Sequence, residues 1–163
     1  MLKVSKKMND LKEQNYIKEV EKKIKKKIKT WDKLFPITSR KINKINKYIC
    51  INKNSKKIRP LLMYYFCKII KKDYKKIIEA SVAIELIHNA SLLHDDILDN
   101  AKTRRGKITV NKKYNNSIAI LAGNRLLTTA LQILKKYKIE IINDSIDTII
   151  KMTRAAITEI HVR

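Results

Sequence analysis

Residues 85–105 read ELIHNASLLHDDILDNAKTRR, and the fold turns on how that stretch is read. It continues an apolar run made of Val82, Ala83, Ile84, Leu86, Ile87, Ala90, Leu92, Leu93, Ile97 and Leu98. Apolar residues on nearly every side of a 3.6-residue period predict a buried helix rather than a surface one. Set into it are His88, His94, Asp95, Asp96 and Asp99. Bare carboxylates in apolar surroundings are costly unless a metal or a cation compensates. Asp95 and Asp99 are one turn apart on one face, with Cβ atoms roughly 5–6 Å apart. Such a pair suits Mg²⁺, which binds through one or two carboxylates and completes its shell with substrate phosphate oxygens. Arg104 and Arg105 follow the helix and could grip phosphate by forked hydrogen bonds.

The chain has 163 residues, of which 44% are hydrophobic, enough for one domain with a real core. Two glycines and two prolines among many Lys, Ile, Leu and Asn favour an all-helical fold. The net charge is +23. Such an excess is what nucleic-acid or anionic-membrane binders carry. Here it is mainly lysine travelling with Ile and Asn, as an AT-rich genome produces, and a positive field also serves a diphosphate substrate. Cys50 and Cys67 are too few for a disulfide framework, so a reducing compartment is expected. The first residues carry no apolar signal core, and no apolar run is read as approaching the roughly 20 residues that span a bilayer.

Residues 5–29 predict a basic helix with Leu11, Ile17, Val20, Ile24 and Ile28 as a partial apolar stripe. Trp31 to Arg40 contains Phe35-Pro36, where a break is expected, and then Thr38-Ser39, where a new helix starts, with a short helix over 39–51. Leu61 to Ile70 reads LLMYYFCKII, a buried helix. The central helix is expected from about Tyr74 to Asp99, an arginine-bearing loop over 100–108 and helix over 109–136. A last amphipathic helix covers 139–162, on which Asp144 and Asp147 match ordinary surface positions.

Asp95-Asp96-x-x-Asp99, followed by Thr103-Arg104-Arg105-Gly106 and preceded by His88, resembles the first aspartate-rich motif of the trans-prenyltransferases, or polyprenyl diphosphate synthases. Asn54-Ser55-Lys56-Lys57-Ile58-Arg59-Pro60 is similar to their Gly-Gly-Lys-x-x-Arg-Pro motif with both glycines replaced. Asn124 stands where the family commonly has Asp. The resemblance implies an all-α isoprenoid-synthase-type helical bundle and a Mg²⁺-dependent condensation of isopentenyl diphosphate with an allylic diphosphate. It implies catalytic roles for Asp95, Asp96 and Asp99, with Asp95 and Asp99 as metal ligands. Arg104 would hold the allylic diphosphate, and Lys56, Arg59, His88 and Arg105 would hold isopentenyl diphosphate. Ala90 and Ser91, small residues just over one turn before Asp95, imply an open cavity floor and a long product.

The resemblance covers about 50–160, and no second aspartate-rich motif occurs before Arg163. The chain is therefore expected to form the N-terminal part of a single polyprenyl synthetase domain, incomplete on its own. It would act as a homodimer or with a chain supplying the missing half. A non-catalytic helical subunit of a heteromeric synthase is a second expectation, and a basic nucleic-acid-binding helical protein a third. The absent signal and AT-rich character place it in a plastid, or alternatively in a bacterial cytoplasm.

Overall fold

The computed structural model describes residues 2–30, 36–52 and 54–162, and side chains within 11–30, 42–52 and 54–162. The fold is all-α, as expected, with a single two-stranded hairpin among the described residues. In chain order it comprises α1 (Leu2–Thr30), α2 (Pro36–Cys50), α3 (Ile58–Ile69), a 3₁₀ turn (Tyr74–Ile77) and α4 (Ile78–Leu98). Then come β1 (Thr103–Arg104), β2 (Lys107–Ile108), α5 (Val110–Lys113), α6 (Asn116–Leu134) and α7 (Ile139–Val162). Of the break expected within Trp31 to Arg40, residues 31–35 lie outside the described residues, whereas 36–40 are already helical and open α2.

The centre is α4 against α6. The Tyr137 hydroxyl, just past α6, accepts from the Ala80 amide at the start of α4, and His94 meets Gly123 further along, so the two helices run antiparallel. Their contact is built on small residues: Ala83 and Ala90 on α4, Ala119, Ala122, Gly123 and Ala130 on α6. Short side chains let the axes approach, and Leu86, Leu93, Leu126 and Ile133 fill the space between. By length and composition α6 could cross a membrane, contrary to the expectation that no apolar run comes near that length. Here its small-residue face is packed into the core instead.

Around this pair, α1 buries Tyr16, Val20, Ile24 and Ile28, a strict four-residue spacing that carries one stripe down the helix. Leu11, expected on that stripe, is exposed, and Tyr16 leads it instead. Its hydroxyl bonds Ser81 on α4 while its ring meets Tyr64 and Tyr74 at centroid distances of 5.1 and 5.6 Å. The expectation that 61–70 is fully buried is also corrected. On α3, Pro60, Tyr64 and Cys67 face inward, whereas Leu62, Phe66 and Ile69 face out. A helix apolar all round is buried all round only if something covers its second face.

The stretch read as one helix over 109–136 is two. Asn115 is extended and its side chain accepts from the Ile118 amide, which starts α6 afresh after the single turn of α5. The last helix matches its expected span of 139–162. It buries no residue, and Ile150, Ile157 and Ile160 are each about half exposed.

Candidate active site

Two recesses beside α4 hold most of the residues singled out from the sequence, while Asp96 and Arg104 line a third, smaller one under the hairpin. The first lies where the turn before α3, the centre of α4 and the hairpin meet. It holds about 270 Å³ and is lined by Asn54 to Arg59, Glu85, His88 and Arg105. Lys56, Arg59, His88 and Arg105, scattered over 50 residues of sequence, are brought together here. Arg105 Nη2 stands 3.4 Å from His88 Nε2. Burial drives the imidazole down to about 4, and the nearby Arg59 and Arg105 push the same way, so His88 is neutral near pH 7. The site is thus rich in donors and poor in acceptors, as an anion-binding site must be.

The two missing glycines do not open the turn. Neither Asn54 nor Ser55 takes a positive φ; Lys57 does, at 49°. Asn54 bridges to the opposite wall, donating from Nδ2 to the Arg105 carbonyl at 3.1 Å.

The arginines reach this region on a hairpin that the sequence reading had taken for a loop. Arg104 pairs with Lys107, leaving Arg105 (φ 51°) and Gly106 (φ 73°) as a two-residue turn. Positive φ at both positions is the type I′ geometry that suits a tight hairpin. Arg-Gly before a short β-branched stretch was the available signal. The turn sends neighbouring arginines to different places. Arg105 goes to His88, whereas Arg104 donates from Nε to Asp96 Oδ1 at 2.5 Å.

The second recess is a groove of about 280 Å³ between α4, α6 and α7. Asp95 stands at one place on it, with His94, Ser91, Ala90 and Ile87 along the same wall and Leu127, Met152 and Ile157 opposite. Burial pushes the Asp95 carboxyl above its usual range; Arg104 opposes this, and the neighbouring charges of Asp99 and Asp96 add to it. The three aspartates are not one cluster. Asp96 is turned to the hairpin and Arg104, because consecutive helix residues point about 100° apart. Asp99 is the C-cap, closed by bonds from the Asn100 amide to the Ile97 carbonyl and from the Ala101 amide to Asp96, a left-handed Asn100 ending the helix.

Among the described residues no group of three or more His, Cys, Asp or Glu side chains could hold a metal by itself. Asp95 and Asp99 still fit Mg²⁺, which needs only one or two carboxylates when phosphates supply the rest. A cation bound there would oppose the upward push that burial and the neighbouring carboxylates exert on Asp95.

An apolar groove between helices with Asp95 on its wall, and a cationic recess that reaches the same central helix at His88, accompany an isoprenoid-synthase type of fold. The family model for polyprenyl synthetase matches residues 39–162. The chain belongs to that family. It is 34% identical over 110 residues to a geranylgeranyl diphosphate synthase of Methanosarcina mazei, covering 67% of this chain and 34% of that protein. It is 43% identical over 79 residues to the chloroplastic geranylgeranyl pyrophosphate synthase 3 of Arabidopsis thaliana, covering 47% and 22%. The crystal structure of an isoprenoid synthase family member from Thermotoga neapolitana superposes with a TM-score of 0.74 at 27% identity, over 88% of this chain and 55% of that one. The chain thus spans about a third, or less, of the two curated relatives.

Proposed function

We propose that this chain carries the diphosphate-handling part of a prenyltransferase that joins isopentenyl diphosphate to an allylic diphosphate. The observation that carries this reading is the division of sites along α4. His88, Ser91 and Asp95 lie on one stripe, with about 10 Å of helix rise from the first to the last. The cationic recess reaches the stripe at His88, and the apolar groove runs along the same helix from Ile87 past Ser91 to Asp95.

Lys56, Arg59, Arg105 and His88 bind the diphosphate of the isopentenyl substrate and orient its double bond. Asp95 and Asp99 would hold Mg²⁺, which when bound offsets the charge growing on the departing pyrophosphate. The allylic C–O bond breaks with its electron pair going to pyrophosphate. The isopentenyl π electrons form the new C–C bond, and a proton passes from the adjacent carbon to the released pyrophosphate, its C–H electron pair making the new double bond. Leu127, Met152 and Ile157 give the allylic cation an apolar wall, whose exposed α7 side must be covered for water to be excluded. Asp96 acts as a brace for Arg104, whose guanidinium carries five donors, so the bond through Nε does not exhaust its capacity for phosphate. Ala90 and Ser91 leave the groove open beyond Asp95, which supports a product of geranylgeranyl length or longer.

A second reading, a helical subunit acting within an assembly, is favoured by the half-exposed isoleucines of α7. Size-exclusion chromatography with light scattering, alone and with candidate partner chains, separates it from a self-sufficient unit. We propose a plastid location, a reading supported by the lysine-, isoleucine- and asparagine-rich composition; fractionation of plastids from cytosol tests it. The direct test of function is Mg²⁺-dependent incorporation of labelled isopentenyl diphosphate with an allylic primer. Product that vanishes on adding chelator supports the reading, and a folded chain that never forms product overturns it.

A further inference from the structure

Lys57 stands between Lys56 and Arg59, yet its own ammonium is buried beneath the recess they line. Its side chain is 1% exposed. Nζ donates to the Cys50 carbonyl at 2.6 Å and lies 3.0 Å from Glu85 Oε1. Cys50 ends α2, where helix carbonyls lack partners of their own. Glu85 sits on α4 one turn before His88, and Asn89 donates to the same carboxylate oxygen at 3.2 Å. One ammonium therefore joins the end of α2, the start of α3 and the middle of α4.

The backbone at Lys57 is left-handed, with φ 49° and ψ 40°. Glycine takes that conformation freely and lysine does not. Something must hold it there, and the ammonium is the group with contacts to do so. The chemistry is also matched to the recess above. A buried carboxylate left without its partner is strongly unfavourable, and at Glu85 it would face an incoming anion.

We propose that Lys57 and Glu85 are the positioning pair of the cationic recess: their ion pair holds the 54–57 turn down on α4, so that Lys56, Arg59, Arg105 and His88 converge on one diphosphate. This rests on the anion-binding reading of that recess. Both side chains lie in the floor of the recess, each 1% exposed, with their charges turned to each other.

The test is calorimetric titration of the full chain with inorganic pyrophosphate. Lys57→Gly keeps the left-handed turn accessible while removing the ammonium, so it separates backbone from ion pair. It is expected to weaken binding by about tenfold or more, with Lys57→Arg recovering part of the loss. Arg59→Gln should cost about tenfold in the wild-type chain but less than about threefold beside Lys57→Gly, because Arg59 is no longer held in place. That coupling would not arise from a purely structural role. Wild-type affinity in Lys57→Gly, or an equal cost of Arg59→Gln in both backgrounds, overturns the proposal. Should circular dichroism show Lys57→Gly unfolded, Lys57→Gly with Glu85→Gln removes the orphaned carboxylate and carries the same expectations. A folded wild-type chain that binds no pyrophosphate overturns the anion-binding reading, and the role of the pair falls with it.

Discussion

The guanidinium of Arg105, at the tip of the hairpin, reaches the imidazole of His88, in the middle of α4, with 3.4 Å between Nη2 and Nε2. The contact needs a neutral imidazole, because a protonated one would face Arg105, Arg59 and Lys57 together. The folded chain resists protonating His88 until about pH 4, while an unfolded histidine takes up its proton near 6.5. Stability is therefore complete above 6.5 and falls as the pH drops through that window. Urea unfolding near pH 7 and near pH 5 should show the wild type losing on the order of 1 kcal/mol more than His88→Gln, after allowing for half-exposure. Equal losses would mean that His88 is not held neutral.

Asp95 and Asp96 are neighbours with different surroundings, and their substitutions should separate. Asp95→Asn is expected to lower condensation by at least ~100-fold without lowering the melting temperature, since it removes a charge beside two others. Asp96→Ala leaves Arg104 without its carboxylate and should speed hydrogen exchange at the 103–108 hairpin amides. Identical behaviour of the two variants in both assays would contradict the geometry.

Gly123 lies flush against His94, and a Cβ there would overlap the imidazole. Alanine would gain about 1 kcal/mol in helix propensity. Overpacking costs about 1–3 kcal/mol, so the clash should prevail and Gly123→Ala should destabilise. Beside His94→Ala the sign should reverse. Denaturant midpoints of the single and double variants check it, and additive effects would refute the contact.

Ser91 lines the groove one turn from Asp95, with its hydroxyl turned back to the His88 carbonyl at 3.0 Å. Ser91→Phe should fill the groove at that level and shorten the product. Chromatography of the dephosphorylated products reads the length directly. An unchanged length would show that the product does not run past this residue.

Much of this was legible in the residues themselves. The apolar period of 82–98 and the amphipathic pattern of 139–162 are local properties, expressed through propensity and periodicity, so they can be read without a partner. The cationic recess was also legible in its members: Lys56, Arg59, His88 and Arg105 were expected together and lie together. Other elements were misjudged, the 103–108 hairpin expected as a loop among them. The outer face of α3 is exposed although its sequence is apolar throughout, and α6 begins at an Asn115 cap inside what read as one helix.

The sequence by itself determined that the chain is helical, that carboxylates end its central helix and that cations follow. Only the tertiary structure decided how adjacent, chemically identical side chains divide their work. Lys57 is buried against Glu85 while Lys56 lines the recess, Arg104 holds Asp96 while Arg105 meets His88, and Asp95 faces the groove that Asp96 turns away from. The physical reason is directional. A step of one residue swings a side chain about 100° on a helix, and a left-handed or hairpin turn redirects it further. What each side chain then meets depends on elements distant in sequence.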